Sequence, residues 1–286
     1  MLVYAPGKLF LMGEYAVLDG GDAIVAAVNH GVFCQVQPGD NCTTPTGDTR
    51  FVDAALAAIS APTRNYRFGV WNPVDSPHKV GLGGSAAACV AAIAAGRLAQ
   101  GQEIGDKDVA TAIQVHQTVQ GSGSGRDVMA SYYGGVHRYS HTEKRPINTL
   151  QLSVIHSGKS AQTGPRVQQY RSLDERQAFL REAAMLVDLF EENPVEALEE
   201  YGRLVESIAQ QAGFSYLTAA HERIRSLARM HGGAAKPSGA GGGDIAVALI
   251  PEQEARRAFI AACRSEDLFD LPVETSRGVH WELPNA

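Results

Sequence analysis

Cysteine is scarce in this chain, and the little there is falls in no metal-binding pattern. Cys34, Cys42, Cys89 and Cys263 lack the paired spacing of a zinc site and are too few for a disulfide scaffold. They read as reduced thiols, and a cytoplasmic location is expected. No apolar run is long enough to span a bilayer, and the N-terminus has no basic region followed by a hydrophobic core. Neither membrane association nor a secretory signal is expected. Dense Lys/Arg blocks are missing and the formal net charge is -6, which argues against nucleic acid as a partner. Internal repeats and low-complexity tracts are absent as well.

What the chain has is glycine beside helix-forming sequence. In Lys79-Val80-Gly81-Leu82-Gly83-Gly84-Ser85-Ala86-Ala87-Ala88, three glycines and a serine precede a small-residue run, Ala86 to Leu98, that reads as a helix. Backbone N–H groups before a helix, together with the helix dipole, make an anion site, and phosphate is the anion that fits. A turn with Ser85 as an ordinary N-cap fits the same residues. Neither familiar nucleotide motif matches. Ala86 stands where a dinucleotide fold has its third glycine, and Ser-Ala follows where a Walker loop has Lys-Ser/Thr.

At 286 residues, 44% of them hydrophobic, two modest cores are the better expectation. Residues 2–5 and 9–12 read as short strands around a turn at Pro6-Gly7-Lys8, and Ile24–Val28 and Val32–Val36 as two more strands. A loop over Pro38–Thr49 precedes a helix over Phe51–Ile59 and a strand over Tyr66–Val70. A helix over Asp106–Val119 with Asp106 as N-cap, a glycine loop ending at Asp127, and a strand over Val136–Tyr139 follow. The polar residues 140–147 read as a linker, which divides the chain into 1–147 and 148–286. The second part reads as a strand over Leu150–Ile155, then helices over Leu173–Glu191, Pro194–Gln210 and Ser215–His231. A glycine-rich loop over Ala234–Gly243, a strand over Ile245–Ile250, a helix over Glu252–Cys263 and a strand near Leu271–Val273 complete an α+β chain.

Four loops could converge: Pro6-Gly7-Lys8, the loops ending at Ser85 and at Asp127, and Lys236–Asp244. Phosphoryl transfer needs a cradle of N–H donors, magnesium, a cation on the moving group, and a residue that orients or deprotonates the acceptor. Ser85 suits the magnesium, Lys8 the cation and Asp127 the base. Blander readings fit the same residues: Lys8 as a solvated turn lysine, Asp127 as a helix N-cap, Gly239–Gly243 as a lid or linker, and His116 as a partly buried structural histidine.

Three motifs taken together resemble the GHMP kinase superfamily. Ala5-Pro6-Gly7-Lys8-Leu9-Phe10-Leu11-Met12-Gly13-Glu14-Tyr15-Ala16-Val17 is similar to its first motif. Gly81-Leu82-Gly83-Gly84-Ser85-Ala86-Ala87 is similar to the second, the ATP-phosphate loop, with Gly84 where many members have Ser. Lys236-Pro237-Ser238-Gly239-Ala240-Gly241-Gly242-Gly243-Asp244 is similar to the third. Gly13-Glu14-Tyr15 and the closing Asp244 place the likeness nearest the phosphomevalonate kinases, and Gly123-Ser124-Gly125-Arg126-Asp127-Val128 resembles the segment with the proposed catalytic aspartate.

The resemblance implies a two-domain α+β GHMP fold: a first domain with an unusual left-handed β-α-β crossover, a second, ferredoxin-like domain, and ATP between them. It also implies magnesium, and 5-phosphomevalonate or a related small acid as acceptor. Lys8 and Asp127 become the catalytic pair. Gly81, Leu82, Gly83, Gly84, Ser85 and Ala86 become the nucleotide cradle, with Ser85 on the metal. Lys8, Tyr15, Ser124, Arg126, Lys159, Ser160, Arg166 and Ser238, Gly239, Ala240 and Gly241 become acceptor-side contacts. Mevalonate kinases carry a magnesium-binding glutamate on the helix before the aspartate; here His116, Gln114 or Gln117 stands there instead. Mevalonate kinase, diphosphomevalonate decarboxylase and a non-catalytic sensor are the alternatives on the same fold. A monomer or homodimer is expected.

Overall fold

The computed structural model describes residues 1–72, 80–121, 123–140, 143–148 and 151–282. Lys79 and Leu150, which the sequence reading included in the phosphate loop and in a strand, lie outside the described residues.

The first correction concerns the N-terminal strands. β1 (Leu2–Met12) and β2 (Ala23–Gln37) are each one long strand, antiparallel to each other, where the sequence suggested four short ones. Pro6-Gly7 is not a turn. The register shifts between Pro6 and Gly7, so proline's missing N–H falls at a bulge, one of the few sheet positions that tolerate it. Lys8 is therefore a strand residue held in fixed register opposite Ala27.

β3 (Cys42–Thr43) lies within the expected loop and runs parallel to β4 (Asn65–Trp71), with α1 (Arg50–Ala58) between them. α2 (Gly84–Ala99) packs on the sheet through Ala86, Ala87, Ala91, Ala94 and Ala95, all buried; the small side chains let helix and sheet approach closely. α3 (Asp106–Gln120) is capped at Gly105 rather than Asp106, because the Asp108 carboxylate accepts the Gly105 N–H at 2.9 Å. A helix that the sequence reading missed, α4 (Arg126–Tyr133), follows Gly125. β5 (Val136–Tyr139) pairs with β2. The expected linker contains β6 (Lys144–Pro146), which pairs with β5.

The second layer contains β7 (Leu152–His156), α5 (Thr163–Arg171), α6 (Gln177–Glu192), α7 (Pro194–Gln211), α8 (Ala219–Met230), β8 (Ala234–Pro237), β9 (Ile245–Leu249), α9 (Gln253–Arg264) and β10 (Phe269–Leu271). Three readings change here. α5 is an added helix, the long helix starts at Gln177 instead of Leu173, and the front of the supposed glycine loop is strand β8. The sheet order β10-β7-β9-β8, antiparallel throughout, is that of a ferredoxin-like unit.

A last strand, β11 (His280–Glu282), returns to pair with Leu2–Tyr4 of β1, giving the first sheet the path β11-β1-β2-β4-β3. We propose to keep a division near residue 147, with this tail strand crossing back. One buried apolar cluster joins the layers: Leu9, Leu11 and Ile24 of the first meet Val154, Tyr201 and Val247 of the second.

Candidate active site

Beyond Tyr4 the outer edge of β1 has no strand beside it, and two loops take up its free amides. Lys8 N–H donates to Leu82 O at 2.8 Å, and Phe10 N–H donates to Ser238 Oγ at 2.9 Å. Unpaired edge amides in a buried place require partners, and these two attach the second and third glycine motifs to the first. That is how segments some 230 residues apart in sequence, Phe10 and Ser238 among them (228 residues), come together.

The second motif turns sharply through Gly81 and Gly83, with φ of 73° and 80°, and α2 starts at Gly84. Gly83, in the left-handed region, is the residue before the helix, so Ser85 is not the N-cap. Its hydroxyl lies 3.1 Å from Nε2 of His116, which also stands 3.9 Å from Oδ2 of Asp127. His116, expected to be a partly buried structural histidine, is 1% exposed and contacts the second motif through Ser85. Gly84 is exposed, with open space where a side chain would begin.

A Cβ at Gly83 would lie 2.8 Å from Lys8 Cγ, so the lysine stem runs along the turn itself. Gly83→Ala would both strain a left-handed residue and push Lys8 aside. It is expected to lower kcat by about 10- to 100-fold, the scale of an ångström-level misplacement of a reacting group. Steady-state kinetics alongside a thermal melt would check this.

Burial pushes the Lys8 pKa below its ordinary value, opposed in order by the charges of Asp127, Glu14 and Asp244. Its Nζ also sits 5.3 Å from the centre of the Phe10 ring. Asp127 lies in the first turn of α4, its side chain 22% exposed, with Oδ1 accepting the Val128 N–H at 3.0 Å. Lys8 thus lies along a glycine turn, within the electrostatic reach of three carboxylates.

The third motif is tied down tightly. Lys236, on β8 and 2% exposed, forms an ion pair with Glu14 and donates to Pro237 O at 3.1 Å. Glu14 Oε1 also accepts the Gly239 N–H at 3.3 Å, and Tyr201 OH donates to the Glu14 carbonyl at 3.0 Å. Tyr15, itself at a positive φ of 64°, donates to Ala240 O at 2.7 Å. Gly241 leaves room for the Tyr216 ring, and Gly242 for the Arg166 guanidinium. These contacts make the Gly239–Gly243 segment a fitted loop rather than a slack linker.

Asp244 links the third motif to the second: a Cβ at Gly81 would lie 2.5 Å from Asp244 Cβ. Its carboxylate accepts the Ala161 N–H at 3.0 Å, and its own N–H donates to Lys159 O at 2.6 Å. Lys159 and Ser160 are exposed and reach the site through this backbone link. Arg126 stands somewhat apart: it contacts Met129 Sδ at 3.3 Å, and burial pushes its pKa down against the charge of Asp22. Ser124 Oγ accepts the Arg126 N–H at 3.4 Å. The site-residue reading assigned no role to Glu14, Lys236, Asp244 or His116. The first three lie inside the quoted motifs, where the residue type alone does not reveal a buried partner.

Residues 51–135 match the family described as GHMP kinases N terminal domain, and residues 180–267 that described as GHMP kinases C terminal. The chain belongs to the GHMP kinases. This GHMP kinase is 29% identical over 294 residues to a mevalonate kinase of Archaeoglobus fulgidus, covering 93% of this chain and 98% of that protein. It is 25% identical over 321 residues to a phosphomevalonate kinase of Saccharolobus solfataricus, covering 98% of each. Its fold matches a phosphomevalonate kinase of Streptococcus pneumoniae, solved with phosphomevalonate and AMPPNP. The TM-score is 0.79, at 17% identity, over 96% of this chain and 100% of that one. This GHMP kinase is accordingly a phosphotransferase of two-domain α+β fold. Among the described residues no helix is long and apolar enough to cross a membrane, and no three His, Cys, Asp or Glu side chains cluster as a metal site.

Proposed function

We propose that this GHMP kinase transfers the γ-phosphoryl group of ATP to 5-phosphomevalonate, giving 5-diphosphomevalonate and ADP. The observation that carries the reading is the placement of Lys8, whose stem lies against the turn at Gly83 and whose amine feels the charges of Asp127, Glu14 and Asp244. A phosphate oxygen of the acceptor attacks the γ-phosphorus as the bond to the β-phosphate oxygen breaks. That oxygen is already anionic at neutral pH, so positive charge matters more than a base. Lys8 spans donor and acceptor phosphates, and Asp127 orients Lys8.

The backbone from Gly81 to Ala86 holds the nucleotide phosphates at the start of α2. Ser85 would offer a hydroxyl oxygen to magnesium. That donor set suits an ion that is bound mainly through phosphates and water. Magnesium there would neutralise charge on the phosphates. In this reading Tyr15, Ser124, Lys159, Ser160, Arg166 and the Ser238–Gly241 segment serve the acceptor side, and Arg126, which stands apart, would have to move to join them.

Transfer to the alcohol of mevalonate is the second reading, favoured by the higher identity to a mevalonate kinase. It requires Asp127 as a true base, which sets the test. With phosphomevalonate as substrate, Asp127→Asn is expected to lower kcat by about tenfold. With an alcohol acceptor the loss would be about 10²- to 10⁴-fold. ADP release measured side by side with mevalonate, its 5-phosphate, homoserine and galactose should favour the phosphate. A preference for mevalonate would overturn the reading, carbon dioxide release would mark a decarboxylase, and no turnover with any of them would mark a sensor.

A further inference from the structure

His116 lies in contact range of both Ser85 and Asp127, and it comes from a third helix, α3. Ser85 Oγ and Asp127 Oδ2 meet the same ring nitrogen, Nε2, at 3.1 and 3.9 Å. A nucleophilic serine relay needs the carboxylate on the other nitrogen, so this is not a hydrolase triad. The other nitrogen, Nδ1, is buried and has no hydrogen-bond partner among the described residues, and the ring lies 5.4 Å from that of Phe51. A buried N–H left without an acceptor is rarer in proteins than an unused acceptor. The nearby carboxylate also favours hydrogen on Nε2. Both considerations place the proton there, making His116 the donor and Ser85 Oγ the acceptor.

We propose that His116 is a positioning residue that fixes the polarity of the Ser85 hydroxyl. With one lone pair of Oγ occupied by the imidazole N–H, the hydroxyl hydrogen is turned away from the ring. It is then free to donate to a nucleotide phosphate oxygen at the start of α2. Ser85 thereby binds phosphate as a donor, and its remaining lone pair stays available to a cation. This inference rests on the nucleotide-binding role proposed above for residues 81–86, and is independent of which acid is the acceptor.

A double-mutant cycle on nucleotide affinity tests it, read by calorimetric titration of the full chain with a non-hydrolysable ATP analogue, with and without magnesium. His116→Phe keeps the ring and removes the N–H; it is expected to weaken binding about tenfold, the scale of one hydrogen bond to a charged group. His116→Gln returns an N–H at similar reach and is expected to recover affinity to within about threefold of wild type. Ser85→Ala combined with His116→Phe should bind no more weakly than Ser85→Ala alone, within about twofold, because His116 acts through Ser85. Additive losses, or equal losses in the Gln and Phe variants, would overturn the proposal. His116→Leu takes the place of His116→Phe in the cycle if the phenyl variant does not fold. Wild-type protein that fails to bind the analogue would overturn the nucleotide reading and this inference together. Binding with additive losses would overturn this inference alone.

Discussion

Lys8→Met is expected to lower kcat by about 10²- to 10³-fold, the scale of removing one preorganised charge from a transferring phosphoryl group, while the protein stays folded. Methionine keeps the length of the stem, so the packing against Gly83 and Phe10 survives. Burial dominates the Lys8 pKa and pushes it down, against the pull of Asp127, Glu14 and Asp244. A base whose folded pKa lies below its unfolded value binds fewer protons when folded, so between those two values stability rises with pH. The charged lysine is thus a net cost to the fold at neutral pH, and its removal is expected to leave the melting temperature level or slightly higher. The same shift sets the alkaline limb of activity. Turnover should fall as pH rises through the folded pKa of Lys8, below the ordinary lysine value of 10.5, and the residual rate of Lys8→Met should lack that limb. Steady-state rates over pH, with thermal melts of both proteins, would show it. A variant with near-normal kcat would exclude Lys8 from the transfer step.

Features written in a few adjacent residues were legible from sequence. The alanine run of α2 and the glycines before it specify a helix and the turn that starts it, because propensity and backbone freedom are local. β4, α7 and β9 were placed within a residue or two for the same reason. What escaped depends on distant partners. Pro6-Gly7 has the composition of a turn, and only the docking of β2 on one edge and the loop at Leu82 on the other makes it a bulge in a continuous strand. α4 is eight residues long and follows three glycines, too short for periodicity to mark it. β11 has three residues, and its partner, Leu2–Tyr4, lies at the other end of the chain. The contacts of His116 could not be read because its partners are 31 residues before it and 11 after it, in separate helices. The roles proposed for Lys8, Asp127 and residues 81–86 could be argued from sequence only when the three motifs were taken together, since each alone has an ordinary structural explanation.

The Glu14–Lys236 pair carries the largest stability prediction. It is buried almost completely and joins the end of β1 to β8 at the base of the third glycine loop. Lys236→Met removes the cation and leaves the Glu14 carboxylate with the Gly239 N–H, while Glu14 Oε2 already has no partner among the described residues. Breaking one side of a buried ion pair costs about 3–5 kcal/mol, because the remaining charge is stranded away from water. For a chain of this size that lowers the melting temperature by on the order of 10 °C. Glu14→Gln is expected to cost less. Burial already pushes the Lys236 pKa down, the Glu14 charge is what opposes this, and a lysine without that charge can give up its proton. The double variant Glu14→Gln with Lys236→Met should recover part of the Lys236→Met loss, since it leaves no full charge buried. Thermal melts of the three variants check the order. If Lys236→Met melts with the wild type, the pair does not brace the loop, and the alignment of Gly239 with Lys8 must then come from the Phe10–Ser238 and Tyr15–Ala240 hydrogen bonds alone.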